Sequence, residues 1–308
     1  MVRSSLSPGM ALVLACSSCA TLRWAARGPA LARPSRWSRC TSLRARGGAS
    51  ASSASRPTVF LIRHGQSEWN LAAKRLDLWT MLSQVDHALT REGVNQAKRL
   101  REAVECARAA DDEDAKVFLA PSTRVFSSPL KRAVSTAAVA LGPSRRITLL
   151  PDARELAWPI GGPDSIGSAT GEEIARSALQ ALGSIDPQYG EGSAAHEDLA
   201  AAIDASAART RWWTGFRESR RAVAARLSSL LASQLLPTGC GASVLVCHSV
   251  LIRQVFVDCA SPALAESQPE LLARLRVRKL ENCGVVRVEL DAAGLISSAG
   301  LAFESKLL

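Results

Sequence analysis

The sequence predicts an α/β sandwich built on a mostly parallel sheet. After residue 57, short apolar runs alternate with longer amphipathic stretches, the pattern of strands followed by crossover helices. Each apolar run also ends abruptly in polar or charged residues, as strands do where open α/β sheets bind ligands. The chain has 308 residues and is 47% hydrophobic, enough for a sizeable core.

The first strand is expected over 59–62, and it ends in Arg63, His64 and Gly65. Gly65 lets the backbone turn and approach a ligand closely. Ser67 and Asn70 add neutral donors on the way out. Residues 71–83 look irregular. A helix is expected over 91–109, with Thr90 as N-cap and Leu89, Val94, Ala97, Leu100 and Val104 as its apolar stripe. The acidic run 111–114 is expected to be a solvated turn, because it lacks the glycine and trailing Glu of a calcium loop.

The second strand is expected over 125–128, with Pro129 opening a helix over 130–141. That junction places the Ser128 hydroxyl and the Arg132 guanidinium at a helix N-terminus, and both are good anion binders. A third strand, 147–150, leads to Arg154 and Glu155. The pattern weakens over 156–189, where one short helix near 171–181 is expected. Residues 197–208 are Ala-rich and expected to be helical, and Trp212, Phe216, Val223, Leu227, Leu230 and Leu231 mark a longer helix to about residue 235. The stretch 237–241, with Pro and two Gly, breaks it. The fourth strand, 243–247, delivers His248. Helices over 250–260 and 262–277, an alternating strand over 285–289, a turn at 292–294 and a last short strand after it complete the pattern.

Charge separates two regions. The formal net charge is +10, but residues 1–57 hold nine Arg and no Lys, Asp or Glu, so nine of the ten excess charges lie there. The remainder is nearly neutral, which argues against a nucleic-acid surface. Residues 1–57, rich in Ser, Ala and Arg, have the composition of a cleaved targeting segment and are too poor in core-forming surface to fold. A short apolar run over 10–20 followed by an Arg- and Ser-rich stretch fits import into an organelle, plastid or mitochondrion, with secretion, or a non-functional leader and a cytoplasmic location, as the alternatives. The domain is therefore placed at 58–308. No later run reaches the ~18 apolar residues of a membrane helix. Five of the eight cysteines, Cys106, Cys240, Cys247, Cys259 and Cys283, follow the leader without a CxxC pair, so neither a disulfide framework nor a zinc site is expected.

Four elements thus deliver Arg63 and His64, Arg132, Glu155 and His248, each just past an expected strand. Two His, two Arg and a carboxylate suit phosphoryl transfer through a phosphohistidine. A neutral imidazole attacks phosphorus, cationic groups take up the shifting charge, and a carboxyl group moves the proton. With those cations present, no metal or cofactor is expected. His87 and His196 lie in polar stretches and are expected to be solvated, and Trp212 and Trp213 to pack in core and rim. Cys247 and Arg253 have the C-x5-R spacing of cysteine-dependent phosphatases. The residues between them lack glycine, however, and Cys247 should point away from the sheet face of its neighbour His248.

On these residues the chain resembles the histidine phosphatase superfamily, which includes cofactor-dependent phosphoglycerate mutases. The matching blocks are Arg63-His64-Gly65 with Ser67 and Asn70; Asp86, Leu89, Thr90, Gly93, Gln96 and Ala97; Ser128-Pro129-Leu130 with Arg132, Ala133, Thr136 and Ala137; Arg154-Glu155; and the strand ending in His248. They run in family order over about 58–290. The resemblance implies a phosphoglycerate mutase-like three-layer α/β/α sandwich with a mixed sheet. It implies His64 as the phosphorylated nucleophile and Glu155 as proton donor. It also implies Arg63, Arg132 and His248 as phosphate ligands and Asn70 as a secondary phosphate contact.

Two departures bear on the activity. Ser249 follows the second His where the family commonly has Gly. After Glu155 the chain lacks the mutases' Gly-containing segment, and Asp164-Ser165-Ile166-Gly167 with 213–218 looks more like the broad phosphatase branch of plants, fungi and algae. A metal-independent phosphomonoesterase acting on a small phosphorylated substrate or a phosphoprotein is the leading expectation. A mutase and a non-catalytic phosphate-binding protein are the alternatives.

Overall fold

The computed structural model describes residues 56–157, 163–213, 218–236 and 241–308. The expected targeting segment lies, up to residue 55, outside the described residues, as do most of the expected helix break at 237–241 and much of 213–218.

In chain order the elements are β1 (Thr58–Arg63), α1 (Glu68–Arg75), α2 (Leu78–Ser83), α3 (Arg91–Ala109), α4 (Glu113–Leu119), β2 (Arg124–Ser127), α5 (Lys131–Leu141) and β3 (Ile147–Leu149). There follow α6 (Glu172–Ile185), α7 (Ala194–Ala202), the two-residue β4 (Ile203–Asp204) and α8 (Arg220–Ser229). The last part holds β5 (Ala242–Cys247), α9 (Ser249–Asp258), α10 (Pro262–Ser267), α11 (Pro269–Val277), β6 (Val285–Leu290) and β7 (Ile296–Ala302).

The strands form one seven-stranded sheet in the order β4-β3-β2-β5-β1-β6-β7. The pairs β4-β3, β3-β2, β2-β5 and β5-β1 are parallel, while β1-β6 and β6-β7 are antiparallel. The sheet is therefore mixed and mostly parallel, as the sequence predicts. Alternation along the central strands splits the core in two. Phe60, Ile62, Val244 and Val246 pack with α3, α4, α5 and α6 on one face. Val59, Leu61, Leu245 and Cys247 pack with α8, α9 and α11 on the other. Helices thus cover both faces, and β1 and β5 are buried along their whole length.

Several elements differ from the sequence expectation, each for a local reason. Residues 71–83 are not irregular. Ser67 caps α1 in a reciprocal capping box with Asn70, and the Asp77 side chain caps α2. The acidic run does more than turn, since Asp112 caps α4 by accepting from the Ala115 amide at 2.8 Å. The Ala-rich helix starts earlier, at a Ser193 cap, and ends where β-branched Ile203 joins the sheet edge as β4. Trp212 does not share a helix face with Leu227. It belongs to the opposite core, and α8 begins only at its Ser219 cap before opening into a π-turn over Leu230–Leu235. The expected helix over 262–277 is broken at Gln268 because Pro269 removes a donor, and it restarts as α11. Among the described residues, no helix is long and apolar enough to cross a membrane.

The turn after β1 is locked against α3 by two glycines. A Cβ on Gly65 would lie 2.6 Å from the Gly93 carbonyl oxygen, and one on Gly93 would lie 2.1 Å from the Gln66 carbonyl oxygen. Backbone packs on backbone here, so the neighbour cannot rotate away. Gly93→Ala should therefore lower the unfolding free energy by about 2 kcal/mol or more, whereas Gly300→Ala, with nothing within 4 Å, should change it by about 0.5 kcal/mol or less. Urea unfolding of the three proteins checks this, and equal midpoints would overturn the packing account.

Candidate active site

The three central parallel strands deliver the site. β1 ends in Arg63 and leads to His64, its neighbour β5 leads to His248, and β2, on the far side of β5, leads to Ser128. Backbone bonds tie these ends together: the His64 amide donates to the Cys247 carbonyl at 2.9 Å, and the Ser128 amide donates to the Val246 carbonyl at 2.9 Å. The Gly65 amide donates to Thr136 Oγ1 at 3.0 Å, which fixes the turn against α5.

His64 is buried, and its ring chemistry follows from its partners. Nδ1 lies 2.6 Å from the Gly65 carbonyl oxygen, which can only accept, so Nδ1 carries the proton. Nε2 then presents a lone pair, and Arg132 Nε donates to it at 3.2 Å. Burial, together with the Arg132 and Arg63 charges, holds the imidazole pKa well below its ordinary value. The ring is therefore neutral near pH 7. His248 lies alongside, with ring centroids 5.1 Å apart, and its Nε2 is 2.8 Å from Ser128 Oγ. Burial and the Arg132 charge depress its pKa as well.

Arg132 stands on the first turn of α5 and is fully buried. Arg63 is also buried, with Nη1 donating to the Leu280 carbonyl at 2.7 Å, and burial brings its pKa down to about 10. Arg63 Nε, Arg132 Nη1 and His248 Nδ1 are buried without a hydrogen-bond partner among the described residues. Buried polar atoms of this kind, on three neighbouring cationic or imidazole side chains, suit an oxyanion.

Glu155 sits further along, after the 3-10 turn Pro151–Ala153 that follows β3. Its Oε1 accepts from the amides of Leu156 at 2.9 Å and Leu251 at 3.0 Å, while Oε2 lies 3.4 Å from the Val250 amide. The carboxyl group is thus seated on the N-terminus of α9, the helix that His248 opens. Burial nevertheless raises its pKa above the ordinary carboxyl value. Asn70 completes the α1 capping box, and its Oδ1 also lies 3.4 Å from Asn282 Nδ2, which donates to the His64 carbonyl at 3.0 Å.

The structure brings in residues to which the sequence reading gave no role at the site. Asn282, just before β6, reaches the His64 backbone, and no periodicity marks it. Glu218 lies between Arg154 and Arg226, and Arg226 Nη1 donates to the carbonyls of Asp152 at 2.6 Å and Arg154 at 3.1 Å, tying α8 to the turn that carries Glu155. His87 corrects an expectation. It is not solvated but 1% exposed, packed on Trp69 at 5.4 Å between ring centroids. Its polar sequence neighbours concealed this, because Asp86 is itself buried, accepting from the Lys131 amide at 2.8 Å and from Ser168 Oγ at 2.9 Å. His196 is half-buried, with Nδ1 3.0 Å from the Tyr189 carbonyl oxygen. Asp164 also enters the site, 3.0 Å from Arg132 Nη1 and 3.4 Å from His87 Nδ1.

Cys247 packs in the core on the sheet face away from α5, and burial drives its thiol pKa far above the ordinary range. Arg253 turns to the Val277 carbonyl at 3.3 Å. The C-x5-R spacing therefore does not assemble a thiolate site. Cys106, Cys247, Cys259 and Cys283 are all free thiols.

The histidines should titrate apart. Burial lowers the His87 pKa, but the Asp164 carboxylate and the Thr80 carbonyl outweigh it and hold the ring above 6.5. At pH 6.5, NMR of the ring carbons should show His64 and His248 neutral and His87 more than half protonated. A neutral His87 or a half-protonated His64 would overturn this assignment. The sign for stability follows. Depressed folded-state values mean that the unfolded chain binds more protons, so His64 and His248 each take away stability as pH falls below about 6.5.

Residues 59–160 match the family model for the histidine phosphatase superfamily (branch 1). Among curated proteins, no sequence matches. Solved structures that the chain is similar to include the ecdysone phosphate phosphatase from Bombix mori in complex with tungstate, at 16% identity over 82% of this chain and 92% of that one, TM-score 0.46. Phosphoglycerate mutase from Bacillus anthracis aligns at 16% identity over 80% and 92%, TM-score 0.43. Phosphoserine phosphatase from Entamoeba histolytica in complex with 3-phosphoglyceric acid aligns at 19% identity over 82% and 96%, TM-score 0.38. The family match agrees with the resemblance read from the motifs: residues 59–160, which carry His64, Arg132 and Glu155, are similar to the histidine phosphatase superfamily.

Proposed function

We propose that the chain is a phosphomonoesterase that works through a phosphohistidine on His64. The observation that carries the reading is the state of that ring: neutral, with Nδ1 donating to the Gly65 carbonyl and the Nε2 lone pair beside Arg132. In the first step Nε2 attacks the phosphorus of the ester, the bond from phosphorus to the leaving oxygen breaks, and that oxygen takes a proton from the Glu155 carboxyl group. In the second step water attacks the phosphohistidine, Glu155 takes the proton of that water, and the P–N bond breaks to release phosphate and restore the ring. Arg63, Arg132 and His248 neutralise the oxygens as charge shifts, and Asn70 adds a secondary contact.

The raised pKa of Glu155 supports its role, since a buried carboxyl group that holds its proton can donate it. Oε1 already accepts two backbone amides, which leaves Oε2, 3.4 Å from the Val250 amide, as the less engaged oxygen for proton transfer. The substrate is a small phosphorylated molecule or a phosphorylated side chain.

The test is phosphate release by the full chain from a panel of phosphomonoesters in the presence of EDTA. His64→Ala should lower kcat by about 1,000-fold or more, and acid-labile phosphate should be trapped on the wild-type chain but not on the variant. Glu155→Gln should lower kcat by about 100-fold or more on an alkyl phosphate and much less on 4-nitrophenyl phosphate, whose leaving group needs no proton. Release undiminished in His64→Ala would sink the phosphohistidine route. Isomerisation of phosphoglycerate exceeding hydrolysis would replace it with the mutase reading.

A further inference from the structure

Arg132 directs every part of its fork at a partner, and two of the three contacts go to one residue. Nε donates to His64, Nη2 donates to the Asp164 carbonyl oxygen at 2.9 Å, and Nη1 lies 3.0 Å from Asp164 Oδ1. Asp164 belongs to a 3-10 turn, Pro163–Ser165, and is itself buried. A phosphoryl group on His64 Nε2 would need the same Nη positions. The internal carboxylate and the substrate therefore compete for one guanidinium.

The contact between the two charges is close but poorly aligned. Arg132 Nη1 and Asp164 Oδ1 are both buried, and neither has a partner that satisfies hydrogen-bond geometry. Such a pair gains from opposite charge without the directional bond that usually accompanies it. A phosphate carries more charge and more acceptor oxygens than a carboxylate, so it can take the fork from Asp164. The displaced carboxylate also has a receiver. His87 Nδ1 faces the same Oδ1 at 3.4 Å, while its Nε2 donates to the Thr80 carbonyl at 3.0 Å and fixes the ring. Asp86, next to His87, holds both the Lys131 amide at the start of α5 and the Ser168 hydroxyl three residues beyond the turn. The turn is therefore anchored at its base, and the Asp164 side chain is poised between an arginine and a histidine.

We propose that Asp164 is a built-in occupant of the phosphate subsite, holding Arg132 until a phosphoryl group takes the guanidinium and then resting on His87. The inference depends on phosphoryl transfer at His64 as proposed above. Asp164 is a positioning residue in this account, and it gates which anions the buried arginine accepts. Monoanions that bring no more charge than the carboxylate gain little by displacing it, whereas phosphate dianions do.

The test is tungstate and orthophosphate binding to the full chain by titration calorimetry at fixed ionic strength. Asp164→Asn removes the competing charge and should bind tungstate about tenfold tighter than wild type. His87→Gln removes the receiver and should bind it several-fold more weakly. Asp204→Asn removes a carboxylate that pairs with Arg146 at the sheet edge, so it should shift binding much less than Asp164→Asn does. Unchanged or weaker binding by Asp164→Asn would overturn the proposal and make Asp164 a residue that orients Arg132 for its ligand. Should that variant fail to fold, a crystal structure of the wild-type chain with tungstate decides: Asp164 Oδ1 should have left Arg132 Nη1, and an intact contact would overturn the proposal. Tungstate bound by none of the proteins, with phosphate release that survives His64→Ala, would overturn the phosphoryl-transfer reading itself. Tight wild-type binding without the Asp164→Asn gain would overturn this inference alone.

Discussion

Arg132 carries its charge in full burial, 3.2 Å from the lone pair of His64 Nε2, and much of the surrounding structure answers to that placement. A guanidinium stays protonated where a lysine would lose its proton, so burial is balanced by counter-charges and carbonyl oxygens instead of by neutralisation. The same cation that could steady an oxyanion also disfavours protonation of both imidazoles. One side chain thereby couples the affinity of the site for negative charge to the nucleophilicity of His64, and a substitution there would move both properties together.

The sheet order explains why so few residues suffice. β2, β5 and β1 are consecutive in the sheet although they are far apart in sequence, so three strand ends lie side by side. β3 follows β2 and brings Glu155 through a short turn, and the buried carboxyl group then seats on α9. The Arg154–Glu218–Arg226 cluster pins that turn to α8, so the carboxyl group is held by backbone amides at one end and by a charged staple at the other.

Much of this was legible in the sequence because period and termination carry the physics. β1, α3, α5 and β5 are long, regular or wholly buried, and their boundaries fall within about one residue of the reading. The charged residues at strand ends marked the site because apolar runs rarely stop on Arg-His without cause. What escaped had no periodic signature. The short helices α1, α2 and α4 depend on single capping side chains at Ser67, Asp77 and Asp112. His87 looked solvated because Asp86 and Thr90 beside it are polar, yet all three are buried through bonds to distant segments. Asn282 and Glu218 act across more than 60 positions of chain, and only tertiary pairing reveals such partners.

The position of β1 has a consequence for how the chain is made. It is the first strand among the described residues and sits inside the sheet, yet both of its neighbours, β5 and β6, come from residues 242–290. At ~5–20 residues per second, a ribosome takes roughly ten to forty seconds to pass from one to the other. Throughout that interval a six-residue strand with four consecutive apolar residues, Val59 to Ile62, waits without its pairing partners. Folding of this domain therefore waits on its second half: β1 finds its partner on either edge only once residues 242–290 have been made.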